Sequence, residues 1–169
     1  MDSQTVLDRL IALESDVTYR EPPADGGPSF RHQAGRLPIL LSAPHGAAHR
    51  RAGRTKQEDE YTAAFARLLG ERTDAHVLYA FARADDDPNY DRHSPYKTAL
   101  AELVAAHGIR FVIDLHGMSD RYKFGIAVGT VLIALSFAVD GAAMWISALV
   151  GAIFADALVP TITVYGPEL

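Results

Sequence analysis

Residues 37–46 read Leu-Pro-Ile-Leu-Leu-Ser-Ala-Pro-His-Gly, an apolar run that stops at Pro44 and continues into a histidine and a glycine. The run predicts a short buried strand over Leu37–Ser42. Residues 111–117, Phe-Val-Ile-Asp-Leu-His-Gly, repeat the design. Because ligands of open α/β sheets gather at the carboxyl ends of strands, two strands that each lead into His-Gly predict a metal or catalytic site.

Helical and strand-like patterns alternate on both sides of these two stretches. Pro-, Gly- and charge-rich segments between them predict loops. This order predicts an α/β layered fold with mostly parallel strands. In chain order, the predicted elements are a helix over residues 3–14, a loop over 19–35, the strand over 37–42, a polar basic loop over 47–56, a helix over 58–70, a strand over 75–82, a turn-rich loop over 83–92, a helix over 96–107 and a strand over 111–115.

The bulk composition narrows the classes of function. A chain of 169 residues with 49% hydrophobic and 22% charged residues predicts one globular domain over residues 1–169. A net charge of -5 gives no electrostatic basis for binding nucleic acid. The absence of cysteine means that any zinc site uses His, Asp and Glu. The N-terminus lacks the features of a signal peptide, so we expect a cytoplasmic location.

The last third of the chain, Phe124–Val159, is almost wholly apolar. Asp140 divides it into two runs that are each shorter than the roughly 20 residues of a spanning helix. We therefore expect a buried strand and buried helices there, followed by a final strand over Thr161–Tyr165. Membrane association is the less favoured alternative. An exposed apolar face in this third would mark a subunit interface, and hence a homo-oligomer.

A hydrolytic zinc centre needs three protein ligands and an open position. His45 and His116 can supply two imidazoles, and the predicted helix start can supply a carboxylate from Glu58 or Glu60, with Glu58 slightly favoured. Asp114, two residues before His116, can accept the second N–H of a ligand histidine. The alternative is structural: strand-end histidines are often simply hydrogen-bonded, and acidic residues at a helix start complement its dipole.

The segments Ser42-Ala-Pro-His-Gly, Glu58-Asp-Glu-Tyr-Thr, Arg83 to Asn89 and Val112-Ile-Asp-Leu-His-Gly occur in the order seen in the N-formylglutamate amidohydrolase family. The resemblance covers roughly residues 30–130 and extends to the wider group of zinc amidohydrolases and zinc carboxypeptidases. It implies a three-layer α/β/α fold with a central mixed, mostly parallel sheet, and zinc-dependent hydrolysis of a linear amide on a small carboxylate substrate. It also implies that Arg83, Asn89 and Arg92 bind the substrate carboxylate, to which the planar guanidinium is suited.

The chain departs from that pattern after residue 124, where the polar and Gly-rich motifs of the family give way to the apolar run. The domain is therefore expected to be a C-terminally shortened form. An amidohydrolase also needs a general base or acid, and Glu168 is the late glutamate available for it. The alternative function is a catalytically silent zinc-binding or protein-interaction domain.

Overall fold

The computed structural model of the protein describes residues 3–117. Two sheets and three helices are formed there. The elements are α1 (Ser3–Glu14), β1 (Phe30–Gln33), β2 (Leu37–Ala43), β3 (His49–Arg51), β4 (Arg54–Lys56), α2 (Thr62–Thr73), β5 (Ala75–Ala80), α3 (Pro95–His107) and β6 (Phe111–Asp114). The two strands and the helices predicted over residues 124–165 lie outside the described residues.

The main sheet is mixed, with the strand order β1-β5-β2-β6. Strands β5, β2 and β6 run parallel, and β1 pairs antiparallel with the free edge of β5. An α/β fold with a mostly parallel sheet is therefore confirmed for this part of the chain. The β2–β5 pairing shifts register between Leu37 and Leu40. Pro38 lies at this point, and its missing N–H cannot join a ladder.

Different helices pack on the two sides of the main sheet, because successive side chains of a strand point to opposite faces. On one side, Leu41 and Val77 pack with Ala63 and Ala66 of α2. On the other side, a second cluster joins strand residues to α3. Its buried members are Leu40, Leu78, Tyr96, Leu100, Ile109 and Val112. Helix α1 packs on α2 through Leu13, Ala64 and Leu68.

Helix α3 has the termini that its sequence predicts. Ser94 is the N-cap and its hydroxyl accepts the backbone N–H of Lys97 at 3.1 Å, while Pro95 occupies the first turn. Gly108 ends the helix with a φ of 58°, in the left-handed region that favours glycine. The prediction of a helix ending at His107 is confirmed.

Two of the predicted loops contain strands. Residues 30–33 form the edge strand β1, whose short, polar sequence Phe-Arg-His-Gln gives little apolar alternation. The basic loop over residues 47–56 is a hairpin of β3 and β4. Its turn places Ala52 and Gly53 at φ values of 50° and 77°, as a two-residue hairpin turn of type I′ requires. The loop predictions were wrong at these two places.

Helix α2 begins at Thr62, so the prediction that Glu58 and Glu60 lie in its first turn was wrong. Tyr61 precedes the helix with a φ of 63°. The acidic group at the helix start comes instead from Glu14, at the end of α1. Its carboxylate accepts the backbone N–H of Tyr61 at 2.8 Å and of Ala64 at 3.2 Å. A remote carboxylate thus supplies the cap that the local sequence lacks.

Within residues 3–117, no helix is both long and apolar enough to cross a membrane.

Replacing Glu14 by Ala should therefore destabilise the protein, because the N–H groups of Tyr61 and of the buried Ala64 lose this acceptor. We expect the free energy of unfolding to fall by about 1–3 kcal/mol, measured by urea denaturation. The matched control is Glu102→Ala on the exposed side of α3, which should change it by less than about 0.5 kcal/mol. If Glu14→Ala lowered the free energy of unfolding no more than Glu102→Ala does, the hydrogen bonds of Glu14 would not stabilise the start of α2.

Candidate metal centre

The parallel pairing of β2 with β6 sets the positions of His45 and His116. Ser42 lies opposite Asp114, and the Leu115 N–H donates to the Ser42 carbonyl at 2.7 Å, one residue beyond β6. The chains leave the sheet side by side, and each reaches its histidine two residues after its strand ends. The two imidazole rings lie with centroids 4.9 Å apart. The structure thus brings the two strand-end histidines together.

The carboxylate that joins them is that of Asp59. Its backbone N–H donates to the His45 carbonyl at 2.7 Å, which ties the turn before α2 to the end of β2. One carboxylate oxygen, Oδ2, lies 3.2 Å from His116 Nδ1 and 3.7 Å from His45 Nδ1. Each of the three residues offers one ligand atom, and these atoms lie within 4.8 Å of one another.

Glu58 and Glu60, the carboxylates expected from the sequence, are placed elsewhere. The Glu58 side chain is only 4% exposed, but it forms an ion pair with Arg20, with Nη2 to Oε1 at 2.9 Å. Glu60 is exposed on the turn that leads into α2. Because the helix begins later than predicted, the middle residue of Glu58-Asp59-Glu60 faces the histidines. The prediction of the carboxylate position is corrected to Asp59.

The glycines that follow the two histidines serve close packing. A Cβ on Gly46 would lie 2.6 Å from the Ala80 carbonyl oxygen and 2.9 Å from the Ala63 Cβ. A Cβ on Gly117 would lie 3.1 Å from the Cβ of Asp59. Neither glycine has a positive φ. The His-Gly pattern therefore lets both strand ends approach their neighbours.

Asp87, from the loop after β5, holds the other side of His45. His45 Nε2 lies 3.0 Å from Asp87 Oδ1, which fixes the ring and leaves Nδ1 facing Asp59. Burial by itself lowers the pKa of His45, but hydrogen bonds with Asp59 and Asp87 outweigh it and raise that pKa. Burial raises the pKa of Asp59, and hydrogen bonds from His116 and His45 more than reverse this, so its pKa is well below the ordinary range.

The spacing of this donor set fits a small tetrahedral ion. Ligand atoms about 2.0–2.2 Å from zinc at tetrahedral angles lie roughly 3.3–3.6 Å apart. The 3.2 and 3.7 Å separations at Asp59 Oδ2 are close to that range. Neutral imidazoles and a carboxylate are also ligands that zinc accepts in sites without cysteine.

A second donor set shares His45 and consists of His45, His49 and Asp87. It is buried, and His49 Nε2 lies 3.3 Å from Asp87 Oδ2. Arg51 already occupies that oxygen, with Nε to Oδ2 at 2.5 Å. A fixed guanidinium on the shared carboxylate repels a further cation at this place. The set around Asp59 is therefore the better candidate for a metal site.

The three residues expected to bind the substrate carboxylate, Arg83, Asn89 and Arg92, have different surroundings. Asn89 Nδ2 lies 3.0 Å from His116 Nε2, directly beside the candidate centre. Arg83 donates from Nη1 to the Arg20 carbonyl at 3.3 Å, and its buried Nε has no hydrogen-bond partner among residues 3–117. Arg92 is exposed.

Asp114 is fully buried, opposite Ser42 in the sheet. The hydrogen bonds described for the ring nitrogens of His45 and His116 go to Asp87, Asp59 and Asn89. The orienting role expected of Asp114 is therefore filled at His45 by Asp87. Glu168, the expected general base, lies outside the described residues.

Sequence reasoning missed Asp59, Asp87 and His49 as members of this cluster. Asp59 lies between the two candidate glutamates, and it follows as the ligand only once the helix is known to begin at Thr62. Asp87 had a signal in the Asp-Pro-Asn turn, where its Oδ1 also accepts the Asn89 N–H at 2.9 Å. His49 has no signal, because its three-residue strand lies in a polar, basic stretch without apolar alternation.

A scan against protein-family models found no match to the chain. Searches of curated proteins and of solved structures found no similar protein either.

Replacing Asp87 by Asn should reduce stability in a manner that depends on pH. Burial raises the pKa of Asp87, but hydrogen bonds from His45 and Arg51 outweigh it and lower that pKa to about 2. Since the unfolded value is about 3.9, the carboxylate stabilises the fold fully above that pH. This contribution is lost as the pH falls toward 2.

We therefore expect the stability difference between wild type and Asp87→Asn in the metal-free protein to shrink as the pH falls from about 6 to about 3. Urea denaturation at several pH values measures it. Asp85→Asn, exposed in the same loop, is the control and should show no such trend. A difference that is independent of pH would contradict the described contacts.

Proposed function

We propose that the protein is a metal-dependent hydrolase that cleaves the linear amide bond of an N-acyl amino acid, such as an N-formyl amino acid. The observation that carries this proposal is the convergence of His45, Asp59 and His116 at one edge of the sheet, with spacing that suits one zinc ion. The ordered motifs that resemble the N-formylglutamate amidohydrolase family support the choice of reaction. A cytoplasmic location remains a prediction.

The complete three-layer α/β/α arrangement is part of the same proposal. It is supported by α2 and α3, which pack on opposite faces of the mixed sheet. In this arrangement the candidate centre lies beyond the carboxyl ends of two parallel strands, where α/β proteins bind their ligands.

In the proposed enzyme, His45 and His116 would hold zinc through Nδ1 and Asp59 would hold it through Oδ2. The bound ion would supply a Lewis acid for hydrolysis near neutral pH. The carboxylate of Asp87 accepts the Nε2 proton of His45 and so keeps the lone pair of Nδ1 available. Asn89 can hold His116 Nε2 in either protonation state, since its amide offers both a donor and an acceptor.

The chain's remaining contribution is to bind and orient the substrate. A substrate carboxylate needs a charged hydrogen-bonding partner when it leaves water for the site. The Arg83 guanidinium is proposed for this role on the resemblance of the Arg83 to Asn89 segment, and its Nε forms no hydrogen bond among the described residues. Asn89 lies beside His116 and can orient the same substrate. Glu168 stays the proposed general base.

Asp59→Asn should abolish zinc binding at this centre and the hydrolase activity with it. Glu58→Gln, which keeps the shape of the neighbouring side chain, should retain both, because Glu58 faces Arg20. Zinc bound to the purified protein is measured by inductively coupled plasma mass spectrometry, and amine release is measured from a panel of N-formyl and N-acetyl amino acids.

Loss of zinc in Glu58→Gln but not in Asp59→Asn would contradict the assignment of the ligands. A protein that binds zinc at His45, Asp59 and His116 and hydrolyses none of the panel would contradict the proposed activity. It would support the silent zinc-binding domain instead.

Arg83→Gln should raise KM for N-formyl amino acids by about 10- to 100-fold, the loss expected when a charged hydrogen-bonding group is removed. We expect Arg83→Lys to recover only part of this loss, because an ammonium cannot donate two parallel bonds. Steady-state kinetics measures both variants. Arg110→Gln, exposed at the opposite end of β6, is the control. An unchanged KM in Arg83→Gln would exclude Arg83 from carboxylate binding.

A further inference from the structure

A second group of histidines lies at the other end of the main sheet. It consists of His32 in β1, His76 in β5 and His107, the last residue of α3. His76 is the second residue of its parallel strand, whereas His45 and His116 follow the carboxyl ends of theirs. The two groups share no residue.

The sheet register brings these three histidines to the same face. His32 lies opposite Leu78 in the antiparallel β1–β5 pair, so His32 and His76 point to the side on which Leu78 packs against α3. His107, the last residue of α3, packs against the same face of the sheet. His32 Nε2 lies 3.3 Å from His76 Nδ1. The centroid of the His107 ring lies 4.5 Å from that of His76 and 5.7 Å from that of His32.

The ligand atoms of this group lie within 4.8 Å of one another, one from each residue. His76 is 3% exposed, whereas His32 and His107 are exposed, so the group has a buried base and a rim open to solvent. Packing three imidazoles together is unfavourable if they are charged, but it is a good arrangement for holding a cation while they are neutral.

The surroundings also favour a bound cation. The carboxyl end of α3, where His107 lies, carries the negative end of the helix dipole.

We propose that His32, His76 and His107 form a second metal site, which binds one divalent transition ion such as Zn²⁺. Three imidazoles with one open position are a donor set that zinc uses. The ion would cross-link the edge strand β1 to β5 and to the end of α3. Because the three ligands come from three elements, binding would stabilise the folded chain relative to the unfolded one.

The test is a zinc titration of the tag-free, metal-stripped, full-length protein by isothermal titration calorimetry, with thermal unfolding as a second readout. Wild type should bind two equivalents. His32→Gln and His107→Gln alter exposed residues and should each lose one equivalent, or bind it more than about 100-fold more weakly, because even outer partners of metal ligands contribute about 10- to 100-fold. They should also lose part of the zinc-induced rise in the unfolding midpoint.

His93→Gln is the matched control, because His93 is exposed and belongs to neither group. It should keep both equivalents. Wild-type affinity and stoichiometry in both His32→Gln and His107→Gln would overturn the second site. A wild type that binds a single equivalent, lost in His116→Gln and retained in His107→Gln, would also overturn it while leaving the proposed hydrolase centre intact. Loss of that single equivalent in His107→Gln alone would overturn the hydrolase centre and support the second site.

Discussion

The pairing of β2 with β6 in one parallel register is the constraint on which the candidate centre depends. Placing Ser42 opposite Asp114 sends His45 and His116 off the same edge of the sheet. A slip of one residue would turn one of the two strands over and point its side chains to the wrong face. The apolar residues on both faces prevent such a slip, since both faces are buried against helices. Packing in the core therefore fixes the distance between two imidazoles at its edge.

Charge then determines how those imidazoles are held. Asp59 and Asp87 approach His45 from opposite sides, and Arg51 in turn binds Asp87. Arg51 already neutralises the charge of the Asp87 carboxylate, so Asp87 serves to orient the imidazole ring of His45. The carboxylate of Asp59 has no arginine on it among the ion pairs of residues 3–117, and it faces two ring nitrogens. This asymmetry separates an orienting carboxylate from one that is free to bind a metal ion.

The sequence was sufficient for the features that local patterns control. The buried strands, α1 and the capped helix α3 could be predicted, and so could the two histidines at neighbouring strand ends. Features that depend on remote partners could not. The start of α2 is set by Glu14, 47 residues before Tyr61, and that start decides that Asp59 rather than Glu58 faces the histidines. The strand β1 has too weak a pattern of its own and exists through its pairing with β5. The group of His32, His76 and His107 depends on that same pairing.

Anomalous diffraction from crystals of the zinc-loaded protein, recorded above and below the zinc absorption edge, tests the central claim most directly. The account predicts a zinc peak within bonding distance of His45 Nδ1, Asp59 Oδ2 and His116 Nδ1, about 2.0–2.2 Å from each. A map with no zinc at these three atoms, and with the rings of His45 and His116 turned away from each other, would contradict it.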